Sequence, residues 1–193
     1  MESDDEIGIV GSKILLMQPY NRIWSAGGKI SGITKRTSQY GQGVIDNGQF
    51  NQPRDVDFVS GCCMLIRREV FERIGTFNED FFMYYEDVDF CVRAKAASYR
   101  ILYWPDAVIW HNASASSNRS FRDYYRMRNH LWFVRRNDLI RGFGLCTIGL
   151  ILFVERFGRI LMRKYVMKDN ESINARLSEL VKGFNHGLRE KIR

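Results

Sequence analysis

The chain has 193 residues and a mass of 22.7 kDa, room for one domain or one domain with an appendage. Its 45% hydrophobic and 13% aromatic content can fill a core, which excludes a disordered chain; three prolines and 16 glycines exclude collagen-like and proline-rich classes. The net charge of +7 is uneven: residues 1–110 hold 12 Lys+Arg against 15 Asp+Glu, a net −3, and residues 111–193 hold 17 against 7, a net +10. A basic half faces phosphates, nucleic acid or anionic lipid, while the acidic half argues against a chain coated in nucleic acid.

In chain order, residues 1–6 are acidic and polar, which is not a secretory signal. Residues 7–17 (IGIVGSKILLM) read as a strand, 23–40 as polar loops with short strands, and 46–55 (DNGQFNQPRD) as a turn cluster. Residues 56–66 (VDFVSGCCMLI) form a nearly continuous apolar run, the pattern of a strand buried on both faces. A short helix over 68–74 ends at Gly75, a C-cap. An aromatic-acidic loop covers 78–84 and a helix 86–97. Two strands, 99–104 and 107–110, flank Pro105-Asp106. The four cysteines, Cys62, Cys63, Cys91 and Cys146, show no CxxC spacing and read as reduced, mostly buried thiols of a cytoplasmic protein.

After His111 the texture changes. Residues 112–119 are a small polar loop. A basic-aromatic helix covers 120–137, a hydrophobic-basic helix runs on to about 166, and a final amphipathic helix over 169–192 is loosened by Gly183 and Gly187. The strand–helix alternation before 111 and its absence afterwards predict an α/β body with a helical appendage. The stretch 143–154 (FGLCTIGLILFV) is short of the roughly 18–20 apolar residues that span a bilayer. With Arg141 before it and Arg156, Arg159, Arg163 and Lys164 after, it suits a helix lying on an anionic membrane surface, and equally a buried helix.

The chemistry gathers in residues 76–94 (TFNEDFFMYYEDVDFCVRA), where Glu79, Asp80, Glu86, Asp87 and Asp89 sit among six aromatics. Acids at a helix N-terminus complement its dipole, and Asp89 with Arg93 makes an i,i+4 pair. The same composition suits a sugar, whose C–H faces stack on aromatic rings while carboxylates take its hydroxyls; a carboxylate held beside a hydroxyl can act as general base. Arg126 and Arg128, in YYRMRN, offer planar forks that match phosphate oxygens. Arg135 and Arg136 read as a solvated face, and His130 and His186 as structural.

The segments 56–94 and 99–117 (YRILYWPDAVIWHNASASS), followed by YYRMRN at 124–129 and preceded by IGIVGSKILL and IWSAGG, together resemble the acceptor half of family-2 glycosyltransferases, nearest the rhamnosyltransferase-like branch. The combination in this order is highly specific, although no single motif is. The resemblance implies an α/β fold, a partial GT-A-type mixed sheet with flanking helices. It divides the chain into an acceptor-binding half over 1–118 and a basic helical region over 119–193, with the donor-binding half expected before residue 1. It implies inverting transfer of a sugar, with a leaning to rhamnose, from a nucleotide-diphosphate sugar to a saccharide or lipid-linked acceptor in polysaccharide synthesis. By the same resemblance Asp87 is the base and Glu86 binds or orients the acceptor, with Trp24, Gly61 and Tyr85 as further acceptor-binding candidates; Arg126 and Arg128, from their planar forks, are the candidates for diphosphate or lipid-phosphate contacts. His111 helps hold a divalent metal, Mg2+ or Mn2+, whose other ligands a donor half would supply. The chain alone is then expected to be inactive, at the inner face of the membrane, with a separate donor-half chain or self-association completing the sheet. A non-catalytic membrane-associated scaffold or carbohydrate-binding fragment is the competing reading. Nucleic acid is not an expected partner.

Overall fold

A computed structural model describes residues 4–112, 119–140, 143–166 and 172–189. They fall into two compact units, Met1–Glu79 with Glu86–Ser116, and Asp80–Tyr85 with Ser117–Arg193. The polar loop expected over 112–119 lies, from 113 to 118, outside the described residues.

The first unit contains β1 (Ile7–Leu16), β2 (Ile23–Ser25), β3 (Gly28–Ile30), β4 (Thr37–Gln39), β5 (Arg54–Asp55), β6 (Met64–Ile66), α1 (Arg68–Ile74), α2 (Glu86–Ala96) and β7 (Arg100–His111). The main sheet is mixed, in the order β2-β1-β7-β5, with β6 also pairing β1. β1 and β7 run parallel. β2 and β6 share the other edge of β1, β6 opposite Ile9–Gly11 and β2 opposite Ile14 and Leu15. A strand paired on both edges carries apolar residues consecutively, and in β1 only Val10 and Leu16 escape full burial. β3 and β4 form a separate two-stranded sheet.

Two expectations change here. The strands read on either side of Pro105-Asp106 are one strand: the register jumps from Ser12 opposite Trp104 to Lys13 opposite Val108, so residues 105–107 bulge out of the ladder. Proline has no N–H to give a ladder, and a bulge removes it without ending the strand. The apolar run 56–66 is a strand only at Met64–Ile66. Its first half is a buried connection whose backbone bonds to two elements, Val56 N–H to the Ile101 carbonyl and Gly28 N–H to the Phe58 carbonyl. Val56, Phe58 and Val59 are buried all the same, because this connection fills the core beside β1, where a Cβ on Gly11 would overlap Val59.

α1 ends as expected at Gly75, φ 76°, whose N–H bonds to the Phe71 carbonyl. Phe71, Phe77 and Phe90 pack together, Phe77 and Phe90 with ring centroids 4.5 Å apart. Phe90 is fully buried and Phe71 and Phe77 half-buried, and this ring cluster holds the short α1 on α2. The thiols differ from expectation: Cys91 is buried, and burial pushes it up to about 12, whereas Cys62 and Cys146 are exposed.

The second unit is helical, with α3 (Arg119–Arg136), α4 (Phe143–Tyr165) and α5 (Ile173–Arg189). Gly183 and Gly187 do not loosen α5. They are where α5 meets α3: a Cβ on Gly183 would stand 2.5 Å from the Tyr124 carbonyl oxygen, and one on Gly187 2.8 Å from Leu131 Cδ1. The pair is further tied by Arg176–Asp123 at 2.7 Å and by Tyr124 Oη with His186 Nδ1 at 2.8 Å. No helix among the described residues is long and apolar enough to cross a membrane.

Candidate active site

Asp87 is the second residue of α2. Its Oδ2 accepts the Gly61 N–H at 2.8 Å and its Oδ1 the Val88 N–H at 2.8 Å. A helix N-terminus supplies unpaired N–H groups and a positive dipole end, which orient a carboxylate and favour its charged form. Burial raises the Asp87 carboxyl above its ordinary range, and the Gly61 and Val88 N–H groups offset only part of that rise. Part of its surface still meets solvent.

Glu86 opens the same helix with a different environment. Burial, then the charge of Asp87, raises its pKa from 4.5 to about 7. Its Oε2 is buried without a hydrogen-bond partner in the protein. Adjacent carboxyls thus sit in different environments: Asp87 is held by two N–H donors, and Glu86 has an unpartnered oxygen and a pKa raised to about 7. Asp89, one turn on, is fully buried and paired with Arg93 at 2.8 Å, and Arg93 also donates to the carbonyls of Ile74 and Thr76. That pair is structural, as its spacing predicts.

Of the other expected site residues, Gly61 joins Asp87 directly. A Cβ there would lie 3.6 Å from Asp87 Oδ2, so any side chain at position 61 would stand against the carboxylate. Trp24, in β2, and His111, the last residue of β7, form a pair with ring centroids 5.6 Å apart. Trp24 Nε1 is buried with no partner in the protein, the second orphaned polar atom among the expected acceptor-binding residues. His111 has no company as a metal ligand: among the described residues no three His, Cys, Asp or Glu groups come together. The residues here therefore do not make a cation site by themselves.

Three expected residues belong to the second unit, and two have other employment. Tyr85 is buried, its ring stacked on His130 at 5.2 Å and beside Phe133. Its ring is engaged within the second unit. Arg128 is buried too. Its Nη2 donates to the carbonyls of Asp80 and Phe81, its Nε to Asn129 Oδ1, and its Cζ lies 4.0 Å from the Trp132 ring. The guanidinium is thus engaged with main-chain carbonyls and a ring rather than presented at the surface. Arg126 is exposed and lies over the Tyr84 ring at 4.8 Å, open to an anion.

The residue missed from sequence is Asn129. It is fully buried, and its Nδ2 donates to the carbonyls of Phe81, Met83 and Tyr84 at 2.7–2.8 Å. Its position in YYRMRN was the available signal; what it holds, a glycine-free loop with positive φ at Phe82, Tyr84 and Tyr85, has no local sequence mark.

Residues 9–129 match the family model described as glycosyltransferase like family 2. The chain belongs to that family, and its mixed sheet with flanking helices and a helical C-terminal region is a partial GT-A α/β fold. It is 38% identical over 95 residues to a low-salt glycan biosynthesis hexosyltransferase of Haloferax volcanii, covering 48% of this chain and 30% of that protein. It is 41% identical over 66 residues to an N-acetylglucosaminyl-diphospho-decaprenol L-rhamnosyltransferase of Mycobacterium tuberculosis, covering 34% of this chain and 22% of that protein. The rhamnosyltransferase WbbL of Escherichia coli is 41% identical over 66 residues, 34% of this chain and 25% of that protein. The chain thus matches less than a third of the length of these relatives.

Proposed function

We propose that this chain carries the acceptor side of an inverting sugar transfer, from a nucleotide-diphosphate sugar to a hydroxyl of a saccharide or lipid-linked acceptor in surface-glycan synthesis. The observation that carries the reading is the Asp87 carboxylate, held by the Gly61 and Val88 N–H groups at the start of α2 with Glu86 beside it. Asp87 takes the acceptor hydroxyl proton as the acceptor oxygen bonds to the anomeric carbon and the bond to the diphosphate breaks on the opposite face. An oxocarbenium-like transition state needs the proton removed only late, within reach of a carboxylate. Glu86 and Trp24 hold the acceptor through the polar atoms that the protein leaves unpaired. Arg126 is the candidate contact for the diphosphate. A divalent cation on the donor would need ligands beyond His111. The named rhamnosyltransferase relatives support a rhamnosyl donor.

The test is a sugar-transfer assay of the chain, alone and with a donor-binding chain added, comparing wild type with Asp87→Asn. Loss of the base is expected to lower kcat by about 10²–10⁴-fold with nucleotide-sugar binding unchanged. Asp87→Asn with wild-type turnover would remove the assignment.

A position at the cytoplasmic face of a membrane is proposed on a separate observation. One face of α4, carrying Phe143, Leu150, Val154 and Tyr165, is 87, 58, 60 and 76% exposed at those residues. That is the form of a helix seated in a lipid surface.

A further inference from the structure

We infer that Arg128 and Asn129 are positioning residues for the Glu86–Asp87 pair, acting through the main chain of Asp80–Tyr85 that leads into α2. The inference rests on the proposed roles of Glu86 and Asp87 for its functional meaning, and on the geometry of the loop for its physical content.

The loop adopts what its sequence does not favour. Phe82, Tyr84 and Tyr85 have φ of 60°, 68° and 75°, in the left-handed region that bulky residues rarely enter. The segment DFFMYY contains no glycine to make this easy. Such a conformation persists only where the surroundings over-determine it. Here the surroundings are two consecutive residues of α3. Asn129 Nδ2 takes the carbonyls of Phe81, Met83 and Tyr84. Arg128 Nη2 takes those of Asp80 and Phe81, at 2.8 and 3.1 Å. Arg128 Nε donates to Asn129 Oδ1 at 2.8 Å, which turns the amide so that its NH2 faces the loop. The guanidinium is itself fixed between rings, its Cζ 4.0 Å from Trp132 and 4.7 Å from Tyr125. His130, the next residue, stacks on Tyr85. Three consecutive residues of one helix therefore grip the six residues before Glu86, and carbonyls 80, 81, 83 and 84 have their donors from this grip.

Loops that turn an apolar segment inward need donors for their carbonyls. A grip needed only for that could fall anywhere along the loop. This one reaches to the residue before the carboxylates, and the next peptide group belongs to Glu86. The grip holds the backbone up to Tyr85, the residue covalently joined to Glu86 at the first position of α2, and it is through that junction that it would act on the pair.

The experiment uses the whole chain. Asn129→Asp keeps the volume and removes the NH2 donor. Glu86 is followed by carbon-13 carboxyl titration, and residues 82–88 by amide hydrogen exchange. The wild-type Glu86 midpoint is about 7; the variant is expected to fall by at least about 1 unit toward the ordinary value as its environment opens. Exchange at 82–88 is expected to rise more than about tenfold, with β1 amides unchanged. A role in stability alone moves neither the titration nor local exchange in the folded protein, and an unchanged Glu86 midpoint in folded Asn129→Asp would overturn the inference. Arg128→Lys, which keeps the charge and loses the planar two-carbonyl grip, serves if Asn129→Asp does not fold. It is expected to shift Glu86 the same way and to leave inorganic pyrophosphate binding unchanged. Weakened pyrophosphate binding with an unshifted Glu86 would return Arg128 to a phosphate role and end the inference. If Asp87→Asn kept transfer activity while Asn129→Asp still moved Glu86, the base assignment would fall and the grip would stand.

Discussion

A carboxylic acid whose pKa is higher in the folded than in the unfolded protein makes folding depend on pH with a definite sign. Glu86 rises from 4.5 to about 7 through burial and the charge of Asp87. Below about 4.5 it is protonated in both states and has no effect. As pH climbs to about 7 the unfolded chain ionises first, so the native state loses stability, and above that the loss is complete. The shift corresponds to about 3 kcal/mol as an upper bound, reduced by the solvent that still reaches the group. Asp87 is raised too, and its loss has the same sign. Glu86→Gln keeps the shape and removes the charge. It is expected to stabilise the chain by about 1–3 kcal/mol at pH 8 and hardly at pH 4, read from urea denaturation at both. A variant with the wild-type difference between the two pH values would show that Glu86 is not the group responsible. A site that sacrifices stability near neutral pH to keep two adjacent carboxyls raised above their ordinary range is the expected behaviour of a proton-handling pair.

The helices carry their information in small residues. Gly183 and Gly187 let α5 approach α3 until a methyl group on Gly183 would stand 2.5 Å from backbone, the Tyr124 carbonyl oxygen, which cannot turn aside. Gly183→Ala is therefore expected to destabilise by about 1–3 kcal/mol through forced separation, despite alanine's better helix propensity. Gly158, in α4, has nothing within 4 Å of a built Cβ, and Gly158→Ala is expected to stabilise by up to about 1 kcal/mol. Thermal or urea melts of the two variants should move in opposite directions; movement in the same direction would mean that α3 and α5 do not meet at Gly183. From sequence the glycines read as breaks, because propensity is local and close packing is not. The same division runs through the fold. β1, α1, α2 and the Asp89–Arg93 pair follow from periodicity, caps and spacing, which are local. The 56–60 connection copies the composition of a buried strand because burial sets composition, whereas the ladder depends on which backbone lies alongside. Near the candidate site, the helix start at Glu86 and Asp87 was legible, since a carboxylate pair at a helix N-terminus leaves a mark in the sequence. The employment of Arg128 and Asn129 was not, since it depends on carbonyls 45–48 residues away.

Across the whole chain the charge is divided, with a net −3 before residue 111 and +10 from there on. α4 adds apolar area to the basic part. Its residues Phe143, Thr147, Leu150, Val154, Gly158, Leu161 and Tyr165 follow helical spacing on one face and include no charge, whereas its opposite face, with Leu145, Ile148 and Leu152, is buried. A helix with an exposed apolar stripe as well as a buried one requires a second apolar surface. Exposed Arg163 and Lys164 at its C-terminal end suit an anionic one. The chain is expected to float with vesicles containing anionic phospholipid, less so with neutral ones, and to lose binding as salt screens the attraction. Burying a leucine-sized side chain in lipid contributes about 1.5–3 kcal/mol, so Leu150→Glu or Val154→Glu should each lower partitioning by at least about tenfold. Both sites are exposed, so far-ultraviolet circular dichroism should be unchanged. Light scattering without lipid separates the alternative occupant, a second copy of the chain: if wild type dimerises, the glutamate variants are monomeric and none floats, α4 is a protein interface and the membrane position falls. Flotation of a monomeric wild type that either glutamate abolishes would bring the basic half to the surface where a lipid-linked acceptor resides.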